Sequence, residues 1–181
     1  MWSTMIMFTF PKKWATFLAA IKLTREEVFF MSDFKDYPTI TPFLWFDANA
    51  EEAVSYYLKV FRISRRLGEM RSPDGKILTI AFELAGQKFT ALNGGPLFKF
   101  TEAISFVVRC DSQQEVDDYW LKLTSEGSEG RCGWLKDKFG LSWQIVPAHL
   151  PELIKHPRAM QVMLGMQKLN IAELERAAQS L

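Results

Sequence analysis

The chain has 181 residues, 48% of them hydrophobic and 24% charged, with 22 Lys+Arg against 21 Asp+Glu for a formal net charge of +1. This is the size and composition of one globular domain; the balanced charge leaves no broad footprint for nucleic acid, and no apolar run reaches the ~18 residues of a membrane helix. Two cysteines, Cys110 and Cys132, are too few for a disulfide framework and match no zinc spacing, which indicates a reducing, cytoplasmic setting.

Residues 1–36 read as an extension, helical or poorly ordered. MWSTMIMFTF is apolar but has no basic stretch before it, so it makes a poor secretory signal. Trp14, Phe17, Leu18 and Ile21 then follow at i, i+3, i+4, i+7 spacing beside a basic flank, the pattern of an amphipathic helix. Three readings stay open for it: a membrane-surface or partner-binding helix, a loosely attached extension, and sequence upstream of a true start at Met31.

Thr39–Asp47 reads as a strand with Pro42 near its start, where a missing N–H is tolerated at an edge. Asn49 is placed to cap a helix that opens Ala50-Glu51-Glu52 and carries an apolar stripe of Ala53, Tyr56, Tyr57 and Val60. Strands are predicted at Ile63–Met70, Lys76–Leu84 and Lys88–Leu92, and Asn93-Gly94-Gly95-Pro96 ends the series as a linker. The order then begins again. Ala103–Cys110 is a strand, Asp111-Ser112 a cap, QQEVDDYWLKLTS a helix and Gly127–Gly130 a loop. Arg131–Leu135 and Leu141–Val146 are strands around a charged, solvated turn, Lys136–Gly140. Met160, Met163, Leu164 and Gln167 follow helical spacing after Pro157, and Asn170-Ile171-Ala172-Glu173 resembles a capping box.

Asp47 and Asp111 close the first strand of each series, 64 positions apart, and Tyr56-Tyr57-Leu58-Lys59 matches Tyr119-Trp120-Leu121-Lys122. A duplicated unit follows, because a strand–helix–strands unit has one apolar sheet face and cannot bury it alone. The expected fold is α+β. Two βαβββ modules, residues 37–96 and 101–147, form one pseudo-symmetric, cup-shaped mixed sheet with helices outside. The domain spans 37–150, and a C-terminal helical tail covers 151–181. Alternation along each strand then assigns side chains. Ile104, Phe106, Val108 and Cys110 belong with the helix, whereas Ser105, Val107 and Arg109 enter the cup, matching Thr41, Phe43 and Trp45 in the first module. Trp143 and Ile145 belong to the core; Ser142, Gln144 and Val146 face the cup; Trp134 packs against the hairpin.

ITPFLWFDANAEEAVSYYLKVF, LNGGP and CGWLKDKFGLSWQIVP resemble the PhnB-like branch of the vicinal oxygen chelate superfamily, a branch often labelled 3-demethylubiquinone-9 3-methyltransferase. The similarity runs from about Pro38 to Pro147, and HPRAMQVMLGMQKLNIAELERAA resembles the branch's usual ending. The superfamily includes glyoxalase I, bleomycin-resistance proteins and extradiol dioxygenases. The resemblance implies a divalent metal held by His, Glu or Gln on the first, fourth, fifth and last strands of its enzymes. Here those strands offer Thr41, Phe43 and Trp45, then Ala91-Leu92-Asn93, then Ala103, Ser105 and Arg109, and only Gln144 stands where a ligand is expected. One neutral amide does not hold an ion against water, so no metal and no cofactor are expected. His149 and His156 lie past the last strand and read as surface residues.

The expected ligand-binding residues are Phe43, Trp45, Asn93, Ser105, Arg109, Ser142 and Gln144. An apolar cleft with a few convergent polar groups describes a small-molecule site. Arg109 either anchors an anionic or carbonyl-bearing ligand or pairs with a carboxylate at the rim, and Trp45 either stacks on an aromatic ligand or fills the cup against Phe43. The leading expectation is therefore a metal-free small-molecule binding protein, a homodimer. The alternatives are a metal-dependent lyase, isomerase or dioxygenase, or a methyltransferase, although no glycine-rich loop leads into a helix here.

Overall fold

The computed structural model of the chain describes residues 37–180. The helix expected around Trp14–Ile21 and the start at Met31 lie outside the described residues. Packing divides the described residues into two units: 37–54 with Ile63–Leu97, and Ser55–Arg62 with 98–180.

The first unit holds β1 (Phe43–Phe46), the opening of α1 (Ala50–Val60), β2 (Ser64–Arg71), β3 (Ile77–Leu84) and β4 (Gln87–Asn93). The strand order is β1-β4-β3-β2, with β1 parallel to β4 and the other pairs antiparallel. A parallel pair needs a long crossover, and α1 with the hairpin strands supplies it. Period-2 alternation divides the faces: Leu44, Phe46, Ile80, Phe82, Phe89 and Ala91 are buried on one side, as are Ala50, Ala53 and Val54 of α1. Asn49 stands at the start of α1, where its carbonyl accepts from Ala53 N at 3.0 Å, and a second group joins it there. The carboxamide oxygen of Asn93, at the end of β4, accepts from the Ala50 N–H at 2.8 Å.

The second unit repeats the pattern with β5 (Ser105–Cys110), α2 (Gln113–Thr124), β6 (Ser128–Glu129), β7 (Trp134–Lys136) and β8 (Ser142–Pro147), in the order β5-β8-β7-β6. The fold is α+β, and hydrogen bonding resolves it into two four-stranded mixed sheets, one for each βαβββ module. The repeat reaches the backbone bonds. Gly94 N donates to Phe46 O where Ala148 N donates to Cys110 O, at 2.8 Å in each case. The Ser112 hydroxyl accepts from Glu115 N and caps α2.

β1 covers only Phe43–Phe46 of the expected Thr39–Asp47, β5 starts at Ser105 rather than Ala103, and two stretches of the second unit depart further from expectation. Ser128 and Glu129 form β6 where a loop is predicted, because two residues are too few to show alternation. Arg131–Gly133 is not strand: Cys132 (φ 56°) and Gly133 (φ 83°) are both left-handed, which breaks the ladder. Their amides instead donate to Met166 O and Gln167 O, both at 2.8 Å.

Beyond β8 come α3 (Leu150–Leu153), α4 (Pro157–Gly165) and α5 (Ile171–Gln179). Leu150, Leu169 and Leu174 form a core cluster with Val146, Leu153, Ile154, Val162, Met163 and Met166 against it. Asn170 caps α5 by accepting from Glu173 N at 3.0 Å, as its spacing predicts. Leu164 is exposed rather than packed, and Val162 and Met166 join Met163 in the stripe.

Candidate functional site

Direct cross-strand partners share a face, so the register of the second sheet builds its surface. Ser105, Ser142, Lys136 and Ser128 are successive partners across all four strands. Val107, Gln144 and Trp134 form the next row, and Arg109 with Val146 a third. The opposite face carries Trp143, Ile145 and Leu135, all buried. Ser105, Arg109, Ser142 and Gln144 therefore lie on one face of one sheet. Gln144 donates from Nε2 to the Ser105 hydroxyl at 2.8 Å. The Ser142 residue is 1% exposed, and its hydroxyl has no hydrogen-bond partner among the described residues. Arg109 forms an exposed ion pair with Asp111.

On the first sheet, Phe43 and Trp45 share a face, with Phe43 44% exposed and Trp45 half-buried. Asn93 corrects the expected grouping. It pairs in register with Phe46, on the buried side away from Phe43 and Trp45. Besides capping α1, its Nδ2 donates to Ile77 O at 3.0 Å. The neighbouring glycines are a clasp rather than a passive linker. Gly94 N and Gly95 N donate to Phe46 O and Asp47 O, and the Trp45 indole N–H donates to Gly95 O at 2.8 Å. A Cβ on Gly94 would lie 2.4 Å from the Trp45 ring, so only glycine fits. These glycines hold a tryptophan and are not free to cradle a nucleotide-like cofactor.

The turn expected to be solvated is the largest departure from the sequence reading. Asp137 is 3% exposed. Its Oδ1 accepts from Phe139 N at 2.9 Å and Leu141 N at 3.0 Å, and its Oδ2 from the Tyr57 hydroxyl at 2.8 Å and the Trp143 indole at 2.9 Å. Burial pushes its carboxyl above the usual aspartate range, against the pull of those four donors. Burial and the nearby Asp137 also hold the Tyr57 phenol well above its ordinary value. Around this carboxylate Tyr57 meets Trp143 edge-on at 5.6 Å, and Phe61 meets Trp143 at 5.2 Å. The missed signal was an Asp three residues before a Gly, the signature of a turn whose Asp side chain caps its own backbone. A charge between two lysines looked solvated; three of its donors are local, and the fourth, Tyr57, comes from α1, far away in sequence. Cys110 is buried, and burial pushes its thiol up to about 12, consistent with a packing role.

Lys136 and Trp134 were also absent from the expected set. Both line a cleft of about 200 Å³ with Glu102, Ser128, Glu129 and Ser142. The register Lys136–Ser142 is the signal that would have found Lys136. A divalent metal requires several anionic or imidazole donors. Phe43, Trp45, Ser105, Arg109, Ser142 and Gln144 supply none, and among the described residues no group of three or more His, Cys, Asp or Glu could hold an ion. The donor set does not fit the metal that the resemblance implies.

The family described as 3-demethylubiquinone-9 3-methyltransferase matches residues 38–146. The PhnB protein of Bacillus cereus is 32% identical over 61% of this chain and 100% of its own, with a TM-score of 0.58. A protein of Pseudomonas aeruginosa is 21% identical over 61% of this chain and 97% of its own, with a TM-score of 0.53. The fosfomycin resistance protein FosX of Listeria monocytogenes is 15% identical over 65% and 96%, with a TM-score of 0.51, and shares the fold. No curated protein matches the chain.

Proposed function

The chain belongs to the 3-demethylubiquinone-9 3-methyltransferase family, the PhnB-like branch of the vicinal oxygen chelate superfamily, and on that premise we propose that it is a small-molecule binding protein that works without a resident metal. The observation that carries this reading is the buried Ser142 hydroxyl, left without a partner among the described residues at the edge of a cleft of about 200 Å³. A buried hydroxyl left unpaired costs stability, so a molecule that pairs with it gains by binding. Ser105, Arg109 and Gln144 add polar points to the same face. Phe43 and Trp45 offer aromatic surface on the first sheet, and Asn93 contributes by holding β4 and α1 in place. The protein acts in this reading as a cytoplasmic homodimer, and sedimentation equilibrium giving the mass of one chain would remove the dimer. Among the described residues no helix is long and apolar enough to cross a membrane.

The test has two arms. Metal content is measured by mass spectrometry after purification without chelator and loading with Mg²⁺, Mn²⁺, Fe²⁺, Ni²⁺ and Zn²⁺. No near-stoichiometric metal is expected after buffer exchange; retained metal would overturn the reading in favour of a lyase, isomerase or dioxygenase. A panel of aromatic and anionic small molecules is then screened by thermal shift, where a ligand at 100 times its Kd adds about 2.7 kcal/mol. The family description favours methyl transfer as the second reading. S-adenosylmethionine belongs in the panel for that reason, and a flat response at millimolar concentration would end it.

A further inference from the structure

The row Ser105–Ser142–Lys136–Ser128 crosses the second sheet with three hydroxyls and one ammonium and contains no carboxylate. The carboxylate that meets it comes from outside the sheet. Glu102, in the turn before β5, places Oε1 2.5 Å from Lys136 Nζ. Both residues line the cleft that Ser142 lines.

We propose that this cleft seats the carboxylate of a small organic acid, with Lys136 and Ser142 as its donors and Glu102 as the built-in carboxylate that the ligand displaces. The proposal rests on the small-molecule reading above and names its ligand class. Three features argue for it. The Glu102 side chain is 64% exposed and that of Lys136 35%, so a pair of this kind contributes little and opens easily. The Ser142 hydroxyl has a proton to donate and no acceptor for it among the described residues. The Ser105 hydroxyl, already accepting from Gln144, also keeps its proton for donation. Lys136 holds the Glu102 carboxyl below its ordinary range, so Glu102 occupies the cleft as an anion. A single ammonium with hydroxyls on either side suits one carboxylate, and Trp134 supplies an apolar wall for the rest of the molecule.

Benzoate and its neutral isostere benzamide are titrated calorimetrically into the full chain and into the Glu102→Gln, Lys136→Met and Ser142→Ala variants. Removing the competing carboxylate in E102Q is expected to tighten benzoate about fivefold, and K136M and S142A to weaken it by about fivefold or more. Benzamide should change less than about twofold across the set. S142A removes a hydroxyl that has no partner, so it keeps the fold and guards against a trivial loss in K136M; melting temperatures check both. Benzoate binding unchanged in K136M, or no tighter in E102Q, overturns the proposal. Benzamide binding with benzoate excluded ends the carboxylate seat but leaves the small-molecule reading standing. If neither probe binds any variant, the seat also fails, and the wider thermal-shift panel decides the broader reading separately.

Discussion

At Asp137, two backbone amides and two aromatic side chains converge on one carboxylate, so truncation strands four donors at once. Asp137→Ala is expected to lower stability by about 3 kcal/mol in chemical denaturation, and Tyr57→Phe, which removes one donor, by about 1–2 kcal/mol. The pH dependence has a definite sign. A carboxyl raised in the folded state contributes stability fully below the ordinary aspartate range and loses it as pH rises through the raised value. The stability gap between wild type and Asp137→Asn should therefore narrow as pH rises through that window; a gap that widens would contradict the direction. Gly94→Ala pushes a methyl into the Trp45 ring, and a loss of about 2 kcal/mol with altered tryptophan fluorescence is expected. At this scale Trp143 was legible, because alternation alone put it in the core. Asp137 was not, because its donors include a tyrosine from a different element.

Elements were legible where they ran long. α2 and its Ser112 cap, the hairpin strands β3 and β4, and the Asn170 cap of α5 all follow from local spacing. Those that failed depend on distant partners. The first amide of α1 bonds Asn93 of β4, which local spacing does not show, and β7 starts late because Cys132 and Gly133 turn away to meet the segment between α4 and α5. Gly133 shows how tight that junction is: a Cβ there would lie 2.8 Å from Ile145 O and 3.1 Å from Leu169 Cδ1, at a φ of +83°. Gly133→Ala should cost about 2 kcal/mol or more, and it should loosen hydrogen exchange at the Cys132 and Gly133 amides before that of β8. Uniform loosening would assign the cost elsewhere.

For the whole molecule, the duplication made the fold readable in the sequence, since two copies of one order of elements restrict the architectures that bury both sheets. The candidate site was readable only in part. Parity placed Ser105, Arg109, Ser142 and Gln144 on one face, but Lys136 emerges only from the register of β7 on β8, and Glu102 only from its ion pair with Lys136. The C-terminal helices belong to this scale too. Leu169 and Leu174 are fully buried, so ending the chain before Pro157 should cost about 4 kcal/mol or more and expose the cluster to dye binding. An unchanged denaturation midpoint would show the tail to be dispensable.

The pairing of β1 has a consequence for synthesis. Among the described residues it stands at the edge of its sheet, bonded to β4, and β4 is the last strand of its module to leave the ribosome. At roughly 5–20 residues per second, Phe43-Leu44-Trp45-Phe46 waits on the order of several seconds with its backbone unpaired. Four apolar residues in extended conformation are a template for intermolecular pairing during that interval. Pro42, immediately before them, shortens the template by one donor. The clasp at Gly94 and Gly95 ends the exposure: the same short segment that completes β4 also bonds the end of β1 and takes the Trp45 indole, so the sticky strand is closed as soon as its partner arrives.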